Sequence, residues 1–573
     1  MRTLLLALTV AVAACSASRP TAPAPIPPAP LNPVDGNPEP DVQEIRRWLQ
    51  EFGLQLSDAP LPIVKVSEAD ALAELGETGD RMWPEVRVEQ LRALMWILLG
   101  DVARNADTGL IRTGLRAGSS QNALAYYRPE RIALIDKEAM DMSPRDFILT
   151  HEVVHAYQDQ LLGGQLFERL ANTATIDALS AQQLTVEGHA TFVGTAAFMG
   201  SRGVTPDQLT PSLFDAGSGK IVAPGSSALY GRGAIAMLVA FERGGQRAID
   251  ELLLSPPVTS EQMLHPSKLG RDAPTPIASP QLPGHDPIWV GSIGEFTMQN
   301  MLAVKIPDRH QVILATTGWD GDAIARFELP QGPAVVWRTV WDRPEDAAQF
   351  VDAIHGIESI SPSIALVVHG RGVDVAVMAP PATVEDSRAL AKQLQPLHLG
   401  VSDGAASTRQ AEQDYVTQAS NAVRVIDGGA VWRDSETSIP IPPGWNLVAV
   451  HGVPVLRGPM VENFADNILV DVSPNLLGFT LEAVEVETLR LFEDVLQSQV
   501  LAHGPRALGG RKAWVVETLG HETGSSVVLH QIRAVFFTAT HRVLVTATAK
   551  PERWTELAPV FESVLAGLEP TPR

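Results

Sequence analysis

The chain has 573 residues, too many for one hydrophobic core and enough for two or three domains. Its composition, 45% hydrophobic and 19% charged, is that of a globular protein, and a formal charge of −22 with no long basic run argues against a nucleic-acid partner. The one cysteine, Cys15, excludes an internal disulfide.

The N-terminal MRTLLLALTVAVAAC sets Arg2 before an apolar stretch from Leu4 to Ala14, the pattern of a signal peptide. That stretch is about half of the roughly 20 residues a spanning helix needs. Ala13 and Ala14 ahead of Cys15 resemble a bacterial lipobox. Residues 1–14 are therefore expected to leave as a lipoprotein signal, and Cys15 to become a lipidated N-terminus that holds the protein at a membrane. Ser16 points to the outer membrane by the sorting rule of two-membrane bacteria, so the expected location is the bacterial cell envelope, facing the periplasm or the exterior. Residues 15–40 read as a linker, since RPTAPAPIPPAPLNPVDGNPEP favours extended polyproline II.

Further on, ALAYYRPERIALID alternates like a strand and is placed to form a sheet edge, to which an extended peptide substrate could add through its main chain. SPRDFILTHEVVHAYQDQLL then opens with a helix-start signature: Ser143 to cap, Pro144 at the first position, Asp146 in the first turn. On that helix His151 and His155 lie about 40° apart and one turn along, so both imidazoles can reach one ion. Glu152 beside them can take a proton from an attacking water, the general-base role in an H-E-x-x-H helix. A catalytic zinc ion needs a third protein ligand and an open position. The next helical segment, DALSAQQLTVEGHATFVGTAAF, offers Glu187 and His189, which face nearly opposite ways. The Glu187 face carries Ala190, Thr191 and Gly194, with Gly188 alongside, and small residues let helices approach closely; the His189 face carries Val186, Phe192 and Val193. Glu187 is the expected third ligand, with His189 the alternative.

HEVVHAYQDQ followed about thirty residues later by LTVEGHATFV resembles bacterial zinc metallopeptidases, often lipoproteins, of the glutamate-zincin type. YGRGAIAMLVAFERGG, PPVTSEQMLHPSK, TTGWDGD and VVWRTVWDRPEDAAQF extend the resemblance over roughly Asp41 to His355. It implies a zinc cofactor, a peptide or protein substrate, and a zincin-like sheet with active-site helices. His189 stands where that group usually has an acid, and Thr191 where related enzymes place the aspartate that orients a zinc histidine, which leaves Asp159 as the candidate for that task. His265 and Tyr230 are the candidates for a donor to the developing oxyanion.

SIALVVHGRGVDVAVMAP reads as a hairpin, VEDSRALAKQLQP as a helix, and Trp319, Trp337 and Trp341 as core. Weak periodicity over 400–435 marks a linker between a first domain, 41–399, and a second, 436–573. The second alternates strands with two expected helices, TLRLFEDVLQSQVLA and RWTELAPVFESVLAGL, and resembles the PsbP/DcrB-like α/β sandwich, with no clustered acid, base or nucleophile. The fold class read from the sequence is α+β: a zincin-like domain followed by a smaller α/β sandwich. Two functions fit. One is a membrane-anchored zinc metallopeptidase. The other is a cell-envelope lipoprotein with a structural zinc, acting as a binding or scaffold protein. Glu152 favours the enzyme, because a structural site closes its fourth position with a residue and needs no base.

Overall fold

The computed structural model describes residues from Val42 to Pro570, leaving aside 137–144, 307–308 and 358–362, most of 201–226 and of 398–421, and short stretches between 433 and 540. The expectations for the signal segment, Cys15, the proline-rich linker, and the Ser143 cap and Pro144 lie outside the described residues. The architecture is α+β. Backbone contacts divide the chain into two units, Met1–Leu302 with Leu314–Ser407, and Ala303–Ile313 with Thr408–Arg573.

The first unit begins with helices α1 (Val42–Glu51), α2 (Glu68–Met82), α3 (Glu85–Leu99) and α4 (Thr108–Asn122). Their starts follow from capping side chains: Ser67 accepts from the N–H of Asp70, and Asp107 from that of Gly109. Strands β1 (Ile63–Val66), β2 (Ala125–Arg128) and β3 (Arg131–Ile135) form a sheet in the order β1-β3-β2, with β3 parallel to β1 and antiparallel to β2. The segment read as one strand is thus a hairpin. Pro129 and Glu130 make its turn, because proline fixes its own φ and cannot donate to a ladder.

Helix α5 (Arg145–Leu161) packs on β2 and β3, and α6 (Ile176–Gly200) and α7 (Ser227–Leu254) pack on α5 and on each other. Every residue of α6 from Gln183 to Phe198 is buried, as befits a helix apolar nearly all round. Two glycines allow α6 and α7 to touch backbone to backbone. A Cβ on Gly188 would lie 2.3 Å from the carbonyl carbon of Gly233, and one on Gly233 would lie 2.2 Å from the carbonyl oxygen of Leu184. The short α8 (Ser260–Leu264) and α9 (Glu295–Ala303) follow α7.

The unit closes with an antiparallel sheet of β4 (Trp289–Gly291), β5 (Trp319–Leu329), β6 (Gly332–Trp341), β7 (Ala365–His369) and β8 (Gly372–Met378), ordered β4-β5-β6-β8-β7. Trp319, Trp337 and Trp341 are buried, and the last two pack on Phe350 of α10 (Pro344–His355). Strands β7 and β8 form the hairpin read from SIALVVHGRG, and α11 (Val384–Ala391) follows with a Thr383–Asp386 capping box.

The second unit contains a small antiparallel sheet of β9 (Val423–Ile426), β10 (Gly429–Trp432) and β11 (Thr437–Pro440), and strands β12 (Asn446–Val450), β13 (Val453–Val461), β14 (Phe464–Pro474), β15 (Gln499–Leu508), β16 (Arg511–His521), β17 (Val528–Phe537) and β18 (His541–Ala549). The last seven form an antiparallel sheet ordered β12-β13-β14-β18-β17-β16-β15. The last helix, α12 (Trp554–Ala566), puts Leu557, Phe561, Val564 and Leu565 into one core with Ile468, Ile532, Ala534 and Val545. Gln499 to Ala502, read as the end of a helix, instead open β15, where Val500 pairs with Thr518 of β16. Cross-strand pairing overrides the local helical pattern there.

Gly188→Ala should destabilise the protein by about 1–3 kcal/mol or more, since the added methyl meets backbone rather than a side chain that could move aside. A lowered thermal midpoint by circular dichroism checks this, and an unchanged midpoint would show that the helices can part at no cost.

Candidate metal centre

Helix α5 carries His151 and His155 one turn apart, with ring centroids 4.8 Å from each other, and α6 brings Glu187 against them. Glu187 Oε2 lies 3.3 Å from His151 Nε2 and 3.6 Å from His155 Nε2. One donor atom from each of the three residues falls within 4.8 Å of the others, all are buried, and the group could hold a metal ion. Two imidazoles and a carboxylate are the donor set of a zinc site with an open position. The fit is visible in one atom. His155 Nε2 is fully buried and makes no hydrogen bond, a cost that coordination would remove.

Electrostatics inside this buried group are strongly coupled. Burial pushes the His155 imidazole down, but the charges of Glu187 and Glu152 outweigh it and raise its pKa to about 9. Burial pushes Glu187 up, and the two histidines more than offset that, holding its pKa near about 2. Burial lowers that of His151. Glu152, the residue between them in sequence, is raised to about 8 mainly by burial. The backbone N–H of Tyr127 on β2 donates to its carboxylate, while Oε2 has no hydrogen-bond partner. Tyr127 also donates from its hydroxyl to Asp159 Oδ2 at 3.0 Å, so β2 grips α5 at two points, one on either side of His155.

The other predicted residues fall as follows. Tyr230 on α7 is at the centre, its ring centroid 5.8 Å from that of His151. His265 is buried and committed elsewhere: its Nε2 lies 2.8 and 3.0 Å from the two oxygens of Glu295 on α9. His189 is not among the clustered donors; it stands 3.1 Å from the amide of Gln158. Asp159 does not orient a zinc histidine. It accepts from Tyr127 and from the N–H of Leu166, and Gln158 takes the place instead, with Oε1 2.8 Å from His155 Nδ1. Position i+3 on the same helix face as His155 was the available sequence signal for Gln158. A second buried acidic group, Glu261, Asp272 and Asp342, surrounds the Lys268 amine, which donates to Glu261, donates to Asp342 at 2.5 Å and lies 3.2 Å from Asp272. A lysine already serves as cation there.

Residues 290–363 match a domain of unknown function, DUF8575. No curated protein matches the sequence. Among solved structures, the chain is similar to cyanobacterial PsbP (CyanoP) from Synechocystis sp. PCC 6803 at 17% identity, covering 24% of this chain and 87% of that one, with a TM-score of 0.20. It is similar to a protein of unknown function, PA94, from Pseudomonas aeruginosa at 12% identity, covering 26% and 97%, TM-score 0.20. It is also similar to LpqN, involved in cell envelope biogenesis of Mycobacterium tuberculosis, at 14% identity, covering 24% and 83%, TM-score 0.21.

His155→Ala or Glu187→Ala should lower zinc occupancy of the purified protein, measured by elemental analysis, since each removes one of three donors. Zinc must displace the proton that His155 holds below about pH 9. Apparent zinc affinity should therefore rise about tenfold per pH unit through the neutral range and level off above about pH 9, as read by competition with a chromophoric chelator. A flat profile between about pH 6 and 8 would remove His155 from the donor set.

Proposed function

We propose that the first unit is a zinc-dependent hydrolase of peptide bonds, with His151, His155 and Glu187 as metal ligands and Glu152 as general base. The observation that carries this reading is the buried Oε2 of Glu152, which has no hydrogen-bond partner although the carboxylate sits beside all three donors. Buried polar atoms are as a rule hydrogen-bonded, and an unpartnered carboxylate oxygen beside candidate metal ligands calls for a role. Zinc held by the three ligands would supply a Lewis acid that polarises a carbonyl and acidifies water.

The chain's own groups account for the rest. Glu152 is held by the Tyr127 N–H, so one oxygen is fixed and the other is left to accept a proton from the attacking water and return it to the departing amine. Tyr230, beside His151, is the residue placed to donate to the developing oxyanion, whereas His265 acts through Glu295 as part of the packing. β2 is an edge strand of its sheet, and an extended peptide can pair with such an edge.

A second reading, a cell-envelope protein whose metal is structural and whose work is binding or scaffolding, is favoured by one specific observation. His151, Glu152, His155 and Glu187 are all at most 7% exposed, which suits a stabilising centre as well as a reactive one. The second unit would then carry the binding surface, as a PsbP/DcrB-like sandwich. Both readings place the protein in the bacterial envelope, anchored by lipid at Cys15; no described helix is long and apolar enough to cross a membrane.

Glu152→Gln separates the readings. The variant should keep its zinc, because Glu152 is not one of the donors, and should lose about 10² to 10⁴ in the rate of cleavage of a peptide library, because glutamine cannot carry the proton. Equal cleavage by the variant and the wild type, or none by the zinc-loaded wild type, would support the binding reading. Cys15→Ala should move the protein from the membrane to the soluble fraction of bacterial lysates, and persistent sedimentation with membranes would remove the lipid anchor.

A further inference from the structure

We propose that Gln158 is the positioning residue of the metal centre and that His189 anchors it, the pair fixing which nitrogen of His155 is presented to the metal. This rests on the metal-centre reading above. His155 Nδ1 lies 2.8 Å from Gln158 Oε1. The nitrogen of the same amide donates to the carbonyl of Val186 at 2.8 Å and stands 3.1 Å from His189 Nδ1. Only the amide nitrogen has two hydrogens to give to both acceptors. Turned over, the amide would set its oxygen against the Val186 carbonyl oxygen. Oε1 therefore faces His155, where it can only accept, and His155 Nδ1 must carry a hydrogen. The proton that zinc would displace is therefore the one on Nε2, and the lone pair it uncovers belongs to the buried atom that faces Glu187.

His189 completes the lock from α6. It is fully buried, with Nδ1 turned to the nitrogen of the Gln158 amide, where it can only accept. Its Nε2, which carries the ring hydrogen when Nδ1 accepts, lies 3.1 Å from the nitrogen of Gln246 on α7 and makes no hydrogen bond to it; that nitrogen donates to Asp250 at 2.8 Å, as does the hydroxyl of Tyr157 at 2.9 Å. Val186 immediately precedes Glu187. One side-chain amide thus sets the tautomer of one ligand and ties its helix to the backbone beside another. An amide orients a ligating histidine without the negative charge that a carboxylate partner would add. A metal held by His151, His155 and Glu187 would then keep more of its charge for polarising a substrate than with a carboxylate behind His155.

The test uses full-length protein with zinc affinity measured by chelator competition, and with the visible absorption spectrum of the Co²⁺-substituted form. Gln158→Met removes both amide functions at similar volume and should weaken zinc binding by about 10- to 100-fold and change the Co²⁺ bands. His189→Leu should shift both readouts in the same direction, and His189→Gln, which restores an acceptor for the Gln158 amide, should recover them. The Co²⁺ bands report only on molecules that hold metal, so a general loss of stability would leave them unmoved. Wild-type affinity and bands in Gln158→Met and His189→Leu, with zinc lost in His151→Ala, would overturn the positioning role alone. Equal zinc binding by wild type and His151→Ala, or none by either, would overturn the metal centre itself and this inference with it.

Discussion

A carboxylate buried against two imidazoles is the constraint on which the first unit depends. Glu187 is 4% exposed, and an uncompensated charge in such a place would be costly enough to force the helices apart or the group to protonate. It keeps its charge because His151 and His155 face it from α5. Glycines let α6 approach both neighbours: a Cβ on Gly194 would lie 3.3 Å from Phe147 of α5, and Gly188, one residue from the carboxylate, meets Gly233 of α7 backbone to backbone.

The same unit solves a second burial problem differently. Beyond α7 the chain brings Glu261, Asp272 and Asp342 together, and burial pushes the carboxyl of Glu261 well above its usual range. The Lys268 amine in their midst supplies the counter-charge, with its own pKa held up by Glu261 and Asp342. Close by, Asp177 accepts from both the N–H and the hydroxyl of Ser260, and Asp322 accepts from Trp337 and the N–H of Ile293. Glu261 and Asp342 accept from the Lys268 amine, which also pairs with Asp272 at 3.2 Å, whereas Glu152 has no cation of this kind beside it and keeps one oxygen unpartnered. A lysine already fills the cation position of the acidic cluster, whereas the α5–α6 pair offers two imidazoles and a carboxylate that could hold a metal ion.

Much of this was legible in the residues. Spacing of four on a helix is enough to put His151 and His155 on one face, because helical geometry is local. Choosing Glu187 over His189 needed only the opposite directions of positions two apart and the small residues flanking the glutamate. The buried tryptophans and the β7–β8 hairpin likewise follow from short-range pattern. Misreadings came where a partner distant in sequence decides. ALAYYRPERIALID folds as a hairpin whose second strand is held by β1, and Gln499 to Ala502 become a strand because β16 pairs with them.

The sequence by itself determined the types of the candidate donors, their helical register and the glutamate between them, since these depend on residue identity and the repeat of a helix. Tertiary structure alone decided which second group orients His155. A histidine nitrogen is satisfied by whatever acceptor comes within about 3 Å, and no sequence pattern separated Asp159 from Gln158 for that task. The fold turned Asp159 toward Tyr127 and Leu166, and it put the carbonyl of Val186 and the ring of His189 where only the amide of Gln158 could answer both.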